Sequence, residues 1–215
     1  MLNEIYMENT SIGEMGLGLE NYSPLLDFVV NPQMKMKRLH LADNSSLNDK
    51  IVKLFASICP NLQLLDLGDC RCISKGIIEV LRCCKITQLN LTSCPRVNLD
   101  RMRFEVPKLE VLNLSKTKIK DKTLYMISKS CSGLLQLDLE KCYNITEKGA
   151  KQVVEKCTRL KEISLRHCAN VAVDVDLWMA MVLSRPSLRK IKTPPCFYPS
   201  DSKWKPLLNH GCSLC

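Results

Sequence analysis

The sequence predicts an α/β solenoid of about eight coils, each a short strand, a turn and a helix, with a parallel β-sheet on the concave side and helices outside, in the outline of a horseshoe. Three observations predict it. First, an apolar phrase recurs: the frame L-x-x-L-x-L-x-x-C fits Leu62/Leu65/Leu67/Cys70, Ile86/Leu89/Leu91/Cys94, Leu109/Leu112/Leu114/Thr117, Leu134/Leu137/Leu139/Cys142 and Leu160/Ile163/Leu165/Cys168. Second, its third apolar positions, Leu41, Leu67, Leu91, Leu114, Leu139, Leu165 and Thr193, stand 23 to 28 residues apart, a fixed period that decides the architecture by itself. Third, a helix-like stretch follows most copies.

Each element follows from the same frame. The L-x-x-L-x-L segment is too short for a helix, and its alternation sends apolar side chains one way and polar ones the other, which is a strand. The stretches "CISKGIIEVLRCC", "IKDKTLYMISKSC" and "ITEKGAKQVVEKC" then carry apolar residues at helical spacing, such as Leu124, Ile127 and Cys131, or Ala150, Val153, Val154 and Cys157. Ser74, Asp121 and Thr146 occupy the expected N-cap positions of these helices, where a side-chain oxygen satisfies free amides. The third coil, "VNLDRMRFEVPK", is too short and proline-bounded for a full helix. Weaker copies of the frame flank the five: Leu2/Ile5/Met7/Thr10, Met36/Leu39/Leu41/Asn44 and Leu188/Ile191/Thr193/Cys196. The solenoid is therefore expected over residues 1–196, with an enlarged first coil over 1–35, and a C-terminal cap or tail over 197–215, in which Trp204, Leu207 and Leu208 cover the last coil.

A single coil cannot bury its apolar strip, so neighbouring coils stack and bury it between them. The cysteine at the end of each phrase turns inward where the strand stops, and a polar group there must meet backbone carbonyls that would otherwise be unpaired. A thiol, a weak donor that tolerates burial, can take this place. Cys70, Cys94, Cys142, Cys168 and Cys196 form the predicted ladder, with Thr10, Asn44 and Thr117 as substitutes. Cys59, Cys84, Cys131 and Cys157, near helix ends, pack in the core.

The 215 residues are 46% hydrophobic and 25% charged, with a formal net charge of +9, an ordinary balance for a soluble chain. The opening "MLNEIYMENT" carries acidic residues and lacks the apolar run of a secretory signal, and Leu25 to Val30 cannot span a bilayer. Thirteen cysteines, an odd count falling at repeat positions, read as reduced thiols rather than a disulfide framework. The expected location is cytoplasmic, nuclear or both.

The pattern C-x-x-(I)-(S/T)-x-x-G ahead of a helix ending in cysteine, as in "CYNITEKGAKQVVEKCTRLKEISLRHC", resembles the cysteine-containing leucine-rich repeats of F-box/leucine-rich-repeat proteins, with a ribonuclease-inhibitor-like solenoid. The resemblance runs from Leu2 to about Cys196. It implies a non-enzymatic, protein-binding module: the substrate-recognition part of an SCF-type ubiquitin ligase receptor. The F-box itself is absent from the residues before Met36, so the SCF adaptor is expected as a partner only where an F-box lies upstream, in a longer product of which this chain is a piece. The alternative is an F-box-less repeat protein that binds a regulatory partner without ubiquitin chemistry. An extracellular receptor ectodomain is a third class, disfavoured by the missing signal and the cysteine count.

Outward strand positions line the concave face, the surface that repeat proteins use for recognition. The candidate partner-binding residues are Tyr6, Arg38, His40, Asp66, Asn90, Asn113, Asp138, Glu140, Glu162, Arg166, Lys190 and Lys192. Across the whole face six acidic residues stand against four basic ones. A nucleic-acid groove along the sheet is therefore not expected despite the basic chain, and a polypeptide target is. Arg166, His167, Lys190 and Lys192 make one end basic, opposite acidic Glu4 and Glu8, a polarity that could orient a ligand. The run Lys116, Lys118, Lys120, Lys122 reads as a solvated turn. His167 adjoins Cys168, but strand neighbours face different ways, and no four ligands converge for zinc. No catalytic residue, metal or other cofactor is expected, and the chain is expected to be a monomer. Cys212-Ser213-Leu214-Cys215 only outlines a prenylation box, since Ser213 is not aliphatic.

Overall fold

The computed structural model describes residues 3–9, 36–171, 179, 181–183, 185–193 and 212–214. Each strand is at most three residues long, because the frame places one buried apolar side chain between two outward ones. The strands are β1 (Glu4–Tyr6), β2 (Arg38–His40), β3 (Leu64–Asp66), β4 (Gln88–Asn90), β5 (Val111–Asn113), β6 (Gln136–Asp138), β7 (Glu162–Ser164), β8 (Lys190–Lys192) and β9 (Ser213–Leu214). They form one parallel sheet in sequence order, the arrangement that stacked coils require. Its register aligns Ile5, Leu39, Leu65, Leu89, Leu112, Leu137, Ile163, Ile191 and Leu214 in a single row. From Leu39 to Ile191 every member of that row is at most 1% exposed. Burial of each such side chain contributes about 1.5–3 kcal/mol.

The helices described are α1 (Asp49–Ile58), α2 (Ile77–Cys83), α3 (Asp121–Ser130) and α4 (Glu147–Lys156). No helix forms between β4 and β5, where Val97, Leu99, Met102 and Val106 bury themselves from an irregular coil. The caps differ from the sequence expectation. Helix α2 starts only at Ile77, so Ser74 lies outside it. Asp121 is the first residue of α3 rather than its cap, and Thr146 caps α4 without a side-chain bond to the helix. The reason is stacking: the acidic first residue of one helix serves the next coil. Asp49 accepts from the Ser74 and Lys75 amides at 2.7 and 3.0 Å. Asp121 accepts from the Thr146 amide and hydroxyl at 2.8 and 2.5 Å. Only α1 carries a side-chain cap of its own, Asn48 Oδ1 accepting from the Lys50 and Ile51 amides at 2.9 and 3.4 Å.

This arrangement explains the glycine of the repeat motif. A Cβ on Gly76 would stand 2.8 Å from Asp49 Cα, and one on Gly149 would stand 2.3 Å from Asp121 Oδ1. Both are closer than real Cβ contacts allow, so the motif glycine is the space into which the preceding coil's aspartate fits.

The inward ladder is made of bonds between coils. The Cys70, Cys94, Cys142 and Cys168 thiols donate to the carbonyls of Leu41, Leu67, Leu114 and Leu139, the leucines just past the strands of the preceding coils, at 3.0–3.1 Å. Asn44 reaches back in the same way to Met7 O at 2.7 Å and also bonds Leu41 O at 2.9 Å. Thr117 departs from the pattern: its shorter side chain donates to Leu114 O in its own coil at 2.6 Å. Burial pushes the Cys70 thiol up to about 11 and Cys94 and Cys168 to about 12, so all three stay protonated as donors. Thr10 and Cys196, the remaining ladder candidates, lie outside the described residues, as do Trp204, Leu207 and Leu208.

The tail adds one feature that the repeat frame did not predict. Ser213–Leu214 pairs with β8 as a ninth strand, and Cys212 beside it is buried.

Candidate functional site

After each of the strands β1 to β7, before the ladder position, the chain turns through one left-handed residue: Asn9, Asp43, Asp69, Ser93, Lys116, Lys141 and His167, with φ between 51° and 59°. The amide of such a residue crosses to the next coil, as when Asp69 N donates to Thr92 O and Lys141 N to Arg166 O, both at 2.8 Å. Sharp turns of this kind end the strands at one level and hold the outward side chains in straight rows across the concave face.

The second outward row runs Tyr6, His40, Asp66, Asn90, Asn113, Asp138, Ser164, Lys192. Its middle is partly committed to the backbone. Asp66, Asn90, Asn113 and Asp138 each use Oδ1 to accept the amide two residues on, at 2.9–3.0 Å, the Asx arrangement that short polar side chains make at chain turns. Asp66 also accepts from Asn90 Nδ2 at 2.8 Å. These candidates therefore support the face as well as presenting polar groups on it.

The two ends of the row are paired clusters. At the first, Tyr6 stacks on His40 with ring centroids 4.2 Å apart and an 11° interplanar angle. Glu4 joins them, bonding His40 Nε2 at 3.1 Å and the Tyr6 hydroxyl at 3.0 Å, with the Arg38 guanidinium 3.6 Å away. The His40 bond is the main reason the Glu4 carboxyl is held below its ordinary range. Tyr6 remains 67% exposed, an aromatic platform at the rim. At the other end Glu162 receives Lys192 at 2.9 Å and Lys190 at 3.6 Å. Burial alone would raise the Glu162 carboxyl, but the two ammonium groups override it and hold it low. Acidic Glu4 and basic Lys190 and Lys192 thus each meet opposite charge locally, which weakens the end-to-end polarity expected from the sequence. Arg166 is exposed on the third row, and Glu140 beside it contacts Lys141 at 3.7 Å.

Between β5 and β8 the sheet sinks into a depression of about 150 Å³ lined by Val111, Asn113, Gln136, Asp138, Glu162, Ser164 and Lys192, with Leu112 and Leu137 beneath. Ser164 is 1% exposed, and its hydroxyl has no hydrogen-bond partner. Ser164 stands at an outward strand position but is not among the candidates that the sequence singles out. The available signal was its small size in a row otherwise built of carboxylates, amides and longer side chains. Among the described residues no group of three His, Cys, Asp or Glu could hold a metal ion, and no helix is long and apolar enough to cross a membrane.

Stacked coils, a parallel concave sheet and an inner row of thiols define a leucine-rich-repeat solenoid of the cysteine-containing kind. Its repeats resemble those of F-box/LRR-repeat proteins. The chain is 27% identical over 163 residues to F-box/LRR-repeat protein 4 of Bos taurus, covering 73% of this chain and 26% of that protein. It is 25% identical over 139 residues to putative F-box/LRR-repeat protein 9 of Arabidopsis thaliana, covering 61% and 56% respectively. With F-box protein SKIP19 of Arabidopsis thaliana it shares 26% over 163 residues, covering 71% and 51%. It therefore spans only about a quarter to just over half of these relatives. Among solved structures, a chain of the yeast Rad7–Elc1 complex aligns with a TM-score of 0.65 at 14% identity, over 87% of this chain and 50% of that one. A chain of the TLR13–ssRNA13 complex aligns with a TM-score of 0.55 at 18% identity, over 77% and 23%. At these identities the structural likeness speaks for the fold. No protein-family model matches the chain.

Proposed function

We propose that the concave sheet holds a target polypeptide and that the chain is the substrate-recognition solenoid of an SCF-type ubiquitin ligase receptor, acting in the cytoplasm or nucleus as a non-enzymatic monomer. The observation that carries the reading is the face itself. It joins an exposed aromatic platform at Tyr6, a row of fixed polar side chains and a depression containing an unsatisfied hydroxyl, on a sheet whose rows are set by the coil period. A mixed-sign surface of this kind suits a protein or peptide, since electrostatic complementarity selects partners while aromatic anchors supply affinity. The similarity to three F-box proteins supports the ligase assignment.

Affinity capture from cells followed by mass spectrometry tests it, using both this chain and the longest product of its gene. Recovery of a target by both baits, lost on joint substitution of Tyr6 and Lys190 to alanine, supports the binding face. Recovery of the cullin scaffold and its Skp adaptor with an F-box-bearing product supports the ligase role. Capture of a target without either by every product of the gene favours the adaptor reading instead.

A further inference from the structure

We infer that the depression between β5 and β8 receives one arginine side chain of the bound polypeptide, an inference that rests on the concave face being the binding face. Three observations lead to it. The first is the row. Asp66, Asn90, Asn113 and Asp138 stand at equivalent positions on consecutive strands, and Ser164 follows them with a shorter side chain, so the face sinks at that point. The second is the unmet bond. Buried polar atoms are nearly always paired, yet the Ser164 hydroxyl, in a residue 1% exposed, has no partner, and the residue lines an opening to the surface.

The third observation is charge. The lining holds two carboxylates, Asp138 and Glu162, and one ammonium, Lys192. Lys192 is held on Glu162 at 2.9 Å, with Lys190 also on that carboxylate at 3.6 Å. With Lys190 counted the four charges cancel, but both ammonium groups sit on Glu162, so the carboxylate left without a cation at salt-bridge distance among the described residues is Asp138, whose Oδ1 accepts the Glu140 amide at 2.9 Å. A cation answers that charge; an incoming carboxylate would meet Asp138 and find the lysines already engaged.

Guanidinium suits the site better than ammonium. Asp138 and Ser164 are register partners on adjacent strands, so their backbones lie one strand spacing, about 5 Å, apart. A planar fork of several N–H donors can serve both acceptors at once, whereas an ammonium is a point charge. Val111 offers an apolar wall for the methylene stem.

The test titrates capped arginine (N-acetyl-arginine methylamide) into the isotope-labelled chain and follows backbone amide shifts, with capped lysine, norleucine and glutamate in parallel. Capped arginine should move the Asp138, Ser164 and Lys192 amides saturably, with a dissociation constant on the order of 1 mM, as expected for one side chain. Capped lysine should bind several-fold more weakly, and norleucine and glutamate should leave those amides unmoved. Asp138→Asn keeps the Asx turn, as Asn90 and Asn113 do, and should weaken capped arginine about tenfold by removing a charged acceptor. Ser164→Ala should weaken it by about fivefold through loss of one hydrogen bond. Unmoved amides with capped arginine, equal binding by Asp138→Asn, or the same shifts with capped glutamate would overturn the assignment. If it fails while target capture is still lost on substitution of Tyr6 and Lys190, the subsite falls and the binding face stands. If capture is also indifferent to those substitutions, both fall.

Discussion

Gly149→Ala asks whether the motif glycine is there for backbone freedom or for the neighbouring coil's aspartate. An exposed helix position would gain from the change, about 1 kcal/mol by helix propensity. Here the added methyl would lie 2.3 Å from Asp121 Oδ1, 2.8 Å from its Cγ and 2.9 Å from Leu124 Cδ1. The cheapest relief is rotation of Asp121, which gives up its bonds to the Thr146 amide and hydroxyl. Those bonds are worth about 1–1.5 kcal/mol each net, and residual crowding against Leu124 adds about 1 kcal/mol. The loss of about 3–4 kcal/mol outweighs the gain, leaving Gly149→Ala destabilised by about 2–3 kcal/mol. In a chain of this size that lowers Tm by about 4–12 °C. The assay is a double-mutant cycle by urea denaturation with Asp121→Ala. Once the carboxylate is gone, Gly149→Ala should cost about 1 kcal/mol or less, giving a coupling of at least about 1 kcal/mol. Equal effects of Gly149→Ala with and without Asp121 would refute the packing argument.

Ser164→Ala should raise stability by about 1 kcal/mol, because it removes a buried hydroxyl that bonds to nothing; urea midpoints check this. Lys116→Val should cost about 1–2 kcal/mol and Lys116→Gly should gain up to about 0.5 kcal/mol in the same assay, because φ is 57° there and a β-branched side chain tolerates it least. The buried thiols make stability fall in alkali. Cys59, Cys70 and Cys157 are pushed to about 11 and Cys84, Cys94, Cys131 and Cys168 to about 12, from an ordinary 9.0, by burial above all. Above pH 9 the unfolded chain releases these protons while the folded chain keeps them, so their contribution is fully present below that pH and is lost as pH rises toward 11–12. Urea midpoints from pH 7 to 11 under reductant should decline above 9, and Cys131→Ala should make the decline shallower. Mapped alkylation of the native chain should label the exposed Cys72 and Cys83, and Cys70, Cys94, Cys142 and Cys168 only on unfolding.

Periodicity made most of the fold legible. A row of leucines at a spacing of 23 to 28 residues admits one register, because a one-residue slip in any coil would turn its buried leucine to solvent. The ladder cysteines and outward positions follow from the same count, being offsets along a repeating chain. Thr146 stands at its N-cap position as the sequence predicts, but Ser74 and Asp121 do not, because a reading made one coil at a time assigns each only its own helix to serve. In the stack Asp49 and Asp121 serve the following coil, and Gly76 and Gly149 make room for them. Thr117 was placed in the ladder by position, but its reach, which position does not encode, turned it to its own carbonyl.

The sequence by itself determined the coils, their order and the side chains that face outward, since each is a local consequence of a repeated apolar phrase. Only the tertiary structure decided what those side chains do to one another: that Glu4 gathers His40 and Tyr6, that Glu162 takes up Lys192, and that Ser164 is left without a partner beside Asp138. The physical reason is reach. A strand frame sets direction, whereas pairing across neighbouring strands depends on side-chain length and on where each neighbour's charge is already engaged.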